Sequence, residues 1–149
     1  MGNIEFDIKP DNSIVFTGTY TFQGMGKFPV MMNLPKNIEK LEVTIDEQPV
    51  KYLPFGNSGL RFFLELKHYT DFKVKYTLKS EDKNFSLQLA PFHNFKGKVG
   101  FTKIKFTFPE NFEIQCNFNP DEILQYNDKN EVCIILEDFA PTTPLQINW

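Results

Sequence analysis

The chain has 149 residues, with 16 Lys and Arg against 19 Asp and Glu, for a net charge of −3. That length suits one domain whose core needs no disulfide or metal staple. So even a balance leaves no electrostatic footprint for nucleic acid or an anionic membrane surface. Aromatic residues are 15% of the chain, 17 of them Phe, which supplies bulk for the space between packed sheets. No apolar run approaches the about 18 residues a transmembrane helix needs, and no charged n-region leads into an apolar stretch at the start.

In chain order, Ile4, Phe6 and Ile8 open a first strand, which Pro10-Asp11-Asn12-Ser13 turns. Ile14, Phe16, Tyr20 and Phe22 continue on the return strand. Gly18 takes the place of a core side chain there, which marks a bulge or a close backbone approach. Gly24-Met25-Gly26 reads as a break. Phe28, Val30, Met32 and Leu34 form a third run, in which Pro29 argues for an edge because it lacks a ladder donor.

Glu39 to Ser80 carries the clearest pattern. Leu41, Val43 and Ile45 alternate with polar residues, as do Leu60, Phe62, Leu64 and Leu66. Phe72, Val74, Tyr76 and Leu78 alternate with Lys73, Lys75, Thr77 and Lys79. A period of two points side chains alternately to a core and to water, the mark of half-buried antiparallel strands. Asp46-Glu47-Gln48-Pro49 turns the chain towards a short strand through Val50 and Tyr52. Leu53 to Gly59 reads as a loop, and Lys67-His68-Tyr69-Thr70-Asp71 as a polar turn between strands.

After a polar turn at Ser80 to Asn84, Phe85, Leu87 and Leu89 make a further strand, followed by the aromatic loop Phe92-His93-Asn94-Phe95-Lys96-Gly97. Val99 and Phe101 have odd parity but Ile104, Phe106 and Phe108 even parity, so the core face switches near Thr102 through a bulge or a crossing between sheets. Asn119-Pro120-Asp121-Glu122 has the form of a helix start: Asn as cap, Pro at the first helical position, Glu three residues after the cap. It predicts a turn or two of helix through Gln125. Asn127-Asp128-Lys129-Asn130 predicts a tight turn, Glu131 to Glu137 a strand, and Leu145 to Trp149 a last paired strand.

Cys116 shares its parity with the core residues Phe112, Ile114 and Phe118, whereas Cys133 lies opposite in parity to Val132, Ile134 and Leu136. Two sulfurs on different faces cannot bridge, so both thiols are expected free. About eleven short strands at eight-to-twelve-residue spacing indicate a single all-β domain over residues 1–149. The expected architecture is an antiparallel two-sheet β-sandwich, with a closed β-barrel holding an apolar ligand as the alternative.

The stretch VTIDEQPVKY, then a loop, then LRFFLEL and FKVKYTL is similar to the hairpin-and-return pattern of immunoglobulin-like β-sandwich modules in exported bacterial proteins. IKFTFPENFEIQCNFNPDE with VCIILEDFAPTTPLQINW resembles the ends of such ectodomains, where a Phe-x-Pro turn and a short strand precede a membrane anchor. The resemblance implies an immunoglobulin-like fold, an extracytoplasmic setting in the periplasm or at the cell surface, and a membrane anchor beyond the C-terminus. It carries over no catalytic or binding residue.

The inventory for chemistry is thin. His68 and His93 are the only histidines, and no Gly-x-Ser-x-Gly elbow accompanies them. Two separated His and two Cys on opposed faces make no zinc set. Asn127, Asp128, Asn130 and Glu131 lack the central Gly of a calcium loop. Asn84-Phe85-Ser86 matches the glycosylation tripeptide, which matters only in a eukaryotic secretory setting. The binding chemistry left open is aromatic. Phe63 sits on the polar-parity face of its strand, while Tyr69, Phe92 and His93 lie in turns or loops. Such residues can form a carbohydrate platform, but a second layer of packing is the expected reading. The expected function is therefore a non-catalytic structural or protein-interaction module of a larger bacterial protein, without cofactor or metal. Its partner is a protein or a glycan, the alternative being a carbohydrate-binding module with Phe63, Tyr69, Phe92 and His93 as contacts.

Overall fold

A computed structural model describes residues Met1–Trp149. It holds twelve strands and no helix: β1 (Gly2–Ile8), β2 (Ser13–Met32), β3 (Glu39–Ile45), β4 (Gln48–Pro49), β5 (Leu53–Phe55), β6 (Gly59–Lys79), β7 (Asn84–Leu87), β8 (Val99–Pro109), β9 (Gln115–Cys116), β10 (Glu122–Tyr126), β11 (Lys129–Phe139) and β12 (Leu145–Asn148). A nine-stranded sheet runs in the order β10-β11-β8-β1-β2-β6-β3-β4, with β5 also on β6, and a three-stranded sheet runs β7-β12-β9. The small sheet lies over the large one: the Phe85 ring of β7 is 5.2 Å from Phe6 and 6.4 Å from Phe16. One cluster of 26 buried residues fills the space between them. The architecture is thus a β-sandwich of two separate sheets, and neither closes into a barrel. One pairing departs from the antiparallel expectation. β1 and β8 run parallel, from Gly2 opposite Thr102 to Asp7 opposite Thr107, a contact between segments about a hundred residues apart that no local pattern encodes.

The frame is one hairpin. β2 and β6 pair without interruption from Ser13 opposite Lys79 to Met32 opposite Leu60. Two expectations fail on it: Gly24-Met25-Gly26 is not a break, and Lys67 to Asp71 is not a turn. Both lie inside the ladder, face to face, with Gly24 opposite His68. What they provide is a bend. Gly24 and Gly26 take φ of 147° and 132°, and His68 a φ of 58°. The fully buried Thr70 hydroxyl accepts the Lys67 N–H at 3.0 Å. The bend is large. Phe62 and Phe72 are ten residues apart on one strand, about 33 Å if straight, yet their ring centroids are 5.6 Å apart. The neighbouring chain agrees: Val43 pairs with Val74 and bonds Val50, and only three residues later Leu53 pairs with Arg61. The ribbon therefore folds over its own apolar face, and its outer half, here called the arm, covers part of the core that its inner half helps to form.

Smaller corrections follow the same logic. The short strand expected at Val50 and Tyr52 is displaced to β4 on one side and β5 on the other, so part of the expected loop at Leu53 to Gly59 is strand. Gly59 opens β6 opposite Phe55, where a Cβ would lie 2.3 Å from the Met32 carbonyl oxygen. Gly18 causes no bulge: it is paired in register, and the flanking Phe16 and Tyr20 rings lean over it. The helix expected after Asn119 is instead β10. The Asp121 carboxylate, two residues after the expected cap Asn119, instead accepts the Ile135 N–H at 2.6 Å, and the segment pairs with β11 through the turn at Asn127 and Asp128. The face switch near Thr102 occurs inside the continuous strand β8, beside Asp138 of β11 at φ 43°. Cys116 is half-buried against the core, Cys133 is buried outside the core cluster, and both are free.

Candidate functional site

The outer face of the large sheet divides in two. Over its central strands it is charged and threonine-rich. Lys105 faces Glu5 at 3.5 Å, and the Thr107 hydroxyl donates to Asp7 at 2.7 Å. Partial burial pushes the Asp7 carboxyl up, but hydrogen bonds from Lys9 and Thr107 and the charges of Lys9 and Lys129 outweigh it and hold the group below its ordinary range. On the inner half of β6 the same face carries Lys73, Lys75, Thr77 and Lys79.

On the arm the face changes character. Alternation places Arg61, Phe63, Glu65, Lys67 and Tyr69 outward on β6, and the register sets Pro29 opposite Phe63, Met25 opposite Lys67 and Gln23 opposite Tyr69. Met25, Phe63 and Tyr69 are 71%, 63% and 69% exposed. Leu53 of β5, opposite Arg61, adds an exposed apolar side chain at the rim. The Lys27 ammonium stands 4.9 Å from the Phe63 ring centre, a cation–π contact that leaves most of the ring free.

The four residues expected from sequence separate into two pairs. Phe63 and Tyr69 share the outer face of β6, six residues apart, with the bend at His68 between them. Phe92 and His93 lie in the loop after Leu89, on the other side of the ribbon. There Phe92 is half-buried, 5.8 Å from Phe22 and 5.6 Å from Phe95 between ring centroids. His93 is exposed, with its Nδ1 3.1 Å from the Asn33 amide. This loop acts as a surrogate strand on the free edge of β2. The His93 N–H donates to the Met31 carbonyl at 2.7 Å, the Asn94 amide donates to the Pro29 carbonyl at 2.8 Å, and the Met31 N–H donates to Asn94 Oδ1 at 2.9 Å. An Asn side chain sets an NH2 donor beside a carbonyl acceptor in one planar amide, so it imitates a peptide group. Pro29, whose missing N–H pointed to an edge, sits on that edge.

Sequence reasoning missed Met25 and Leu53 because both fall in stretches that read as a break and a loop. The available signal was composition at fixed parity: the outward positions of β6 are Lys and Thr on the inner half, whereas on the arm Phe63 and Tyr69 stand among Arg61, Glu65 and Lys67.

No three His, Cys, Asp or Glu side chains approach closely enough to hold a metal ion. Burial pushes the Cys116 thiol up, away from the thiolate a nucleophile needs, against a smaller opposing hydrogen bond at Phe118. Burial likewise raises Tyr20 and Tyr76, the latter further through Tyr20. Two shallow clefts open at the surface, of about 190 Å³ beside Phe22, Phe95 and Lys98, and about 320 Å³ beside Asn12, Lys83, Glu113 and Trp149. Trp149 is half-buried, its Nε1 donating to Asn12 Oδ1 at 3.0 Å.

No protein-family model matches the chain, and no curated protein matches it in sequence. Solved structures do match in fold. A candidate nutrient-binding protein from Legionella pneumophila superposes with a TM-score of 0.62 at 12% identity, over 99% of this chain and 65% of that one. A candidate protease from Parabacteroides distasonis gives 0.62 at 11%, over 98% and 38%. The M1 zinc metallopeptidase of Deinococcus radiodurans gives 0.62 at 9%, over 99% and 41%. The chain spans less than two thirds of each of these proteins, and at such identities the likeness is one of fold.

Proposed function

We propose that this chain is a non-catalytic accessory domain that docks a folded protein partner through the outer face of the β2–β6 arm. The observation that carries the reading is Met25, Pro29, Phe63 and Tyr69 exposed on one face of the bent ribbon beside Arg61, Glu65 and Lys67, where the inner half of the same strand presents only Lys and Thr. Exposed large apolar side chains gathered on one face mark interaction sites more often than chance exposure, and Tyr, Phe and Met are enriched at the centres of interfaces. The fold neighbours support the accessory role: in both peptidase chains a domain of this shape accompanies a longer remainder. A carbohydrate platform is the second reading, with the exposed rings of Phe63 and Tyr69 as its candidate contacts on this face. The extracytoplasmic, bacterial setting implied by the sequence resemblance belongs to the same proposal, and cell fractionation of the source organism reads it.

The test is site-specific photo-crosslinking in the source organism, with a benzophenone side chain at Phe63 and, as control, at Lys75. A discrete protein adduct at position 63 and none at 75 is expected. Equal adducts at both positions, or none at 63, overturn the docking face. Binding of the isolated chain to a glycan array that Phe63→Ser abolishes would replace it with the sugar reading.

A further inference from the structure

Strand edges are the second place where a β-protein meets partners, because unpaired N–H and C=O groups template another strand. Most edges of this molecule are blunted. β4 is two residues long and one is Pro49. The arm edge of β2 carries Lys27 and Pro29 and is capped by the His93-Asn94 loop. β9 has two residues, and the first residue of β7, Asn84, exchanges both backbone groups with the Ser80 hydroxyl. β10 has none of these devices. It is the terminal strand of the nine-stranded sheet, its sequence Glu-Ile-Leu-Gln-Tyr has no Lys, Pro or Gly, and no backbone irregularity interrupts it. Ile123 and Tyr126 are 64% and 52% exposed on it.

The polarity of this edge can be read from its partner strand. The Cys133 carbonyl accepts the Asp121 N–H, and the Ile135 N–H donates to the Asp121 carboxylate, so the odd-numbered residues of β11 face β10. Glu122 and Leu124, opposite Cys133 and Glu131, therefore turn their backbone groups inward. By alternation Ile123 and Gln125 turn theirs to the open edge. We infer that this edge pairs with β10 of a second copy of the chain, antiparallel about a two-fold axis at Leu124. In that register Ile123 of each copy exchanges both backbone hydrogen bonds with Gln125 of the other. The two Leu124 side chains meet at the axis, and Glu122 faces Tyr126 of the second copy. No like charges stand opposite one another, which is the complementarity a self-pairing edge requires. A five-residue pair falls short of the about 1,200 Å² of a stable interface, so the association is weak and depends on concentration.

Sedimentation equilibrium of the full chain over a range of concentrations tests this. The wild-type mass should rise from 17.4 kDa towards twice that value. Leu124→Lys sets two ammonium groups against each other and should hold the mass at the monomer. Mixing Leu124→Lys with Leu124→Glu should restore the dimer, a result that misfolding cannot produce. Gln125→Pro removes an outward N–H and should act like Leu124→Lys, whereas Phe63→Ser on the arm should leave the dimer intact. A wild-type chain that stays monomeric to about 1 mM overturns the inference. So does a dimer indifferent to Leu124→Lys, or one that Phe63→Ser dissolves.

Discussion

The two halves of β6 are made of the same strand, paired with the same partner, and differ only in what they show to water. On the inner half the outward residues are Lys73, Lys75, Thr77 and Lys79; on the arm they include Phe63 and Tyr69, with Met25 and Pro29 across the ladder. The inward faces do not differ in this way: Phe72, Val74 and Tyr76 are buried on one half and Leu60, Phe62 and Leu64 on the other. Folding stability explains the inward residues of both halves and the outward lysines of the first. It does not explain apolar outward residues on the second, which bury little here. These exposed apolar side chains among Arg61, Glu65 and Lys67 are what the proposed docking role would account for.

The comparison breaks first on the inward face. Phe72 is fully buried and packs against Tyr20 and, across the bend, against Phe62. Phe72→Ala should cost about 3–5 kcal/mol in urea unfolding. Phe63→Ala, on the other face of the same strand, should stay within about 0.5 kcal/mol. Equal losses would mean that the arm's outer residues stabilise the fold.

A smaller effect isolates the bend. At Gly24 the nearest atom to an added Cβ is Leu66 Cδ1 at 3.8 Å, so alanine meets no clash and only the φ of 147° resists it. Gly24→Ala should cost about 1–3 kcal/mol, and an unchanged melting curve would show that the ribbon does not need its sharp fold.

The smallest effect belongs to the polar face. The Asp7 carboxyl has a folded-state pKa below its unfolded value, so its contribution is present above about pH 4 and is lost as pH falls through the lower folded-state value. Urea midpoints of wild type and Asp7→Asn should therefore differ at neutral pH and converge in acid. A gap that widens in acid would contradict the ion-pair network at Lys9, Lys129 and Thr107.

What the sequence made legible follows from periodicity. Parity alone placed Phe72, Val74 and Tyr76 inside and Lys73 and Lys75 outside, put Cys116 and Cys133 on different faces, and singled out Phe63 as an apolar residue facing outward. It failed where one local chemistry serves two structures. Glycines and short polar residues make turns, but they also make the bend in a continuous ribbon, so Gly24-Met25-Gly26 and Lys67 to Asp71 looked like two separate strand ends. Asn119-Pro120-Asp121-Glu122 suits a helix cap equally well as the lead-in to a strand, and the choice was made by the Ile135 amide, which is distant in sequence. The parallel pairing of β1 with β8 has no local signature. The arm face was only half visible for the same reason: Met25 joins Phe63 and Tyr69 only once the ribbon is known to be continuous.

The central claim, that the outer face of the arm serves binding and not folding, is tested most directly by equilibrium unfolding of the triple variant Met25→Ser, Phe63→Ser, Tyr69→Ser. With each side chain mostly exposed, the variant should unfold within about 1 kcal/mol of wild type and stay soluble at higher concentration. A loss of several kcal/mol would contradict the claim and assign those side chains to the stability of the ribbon itself.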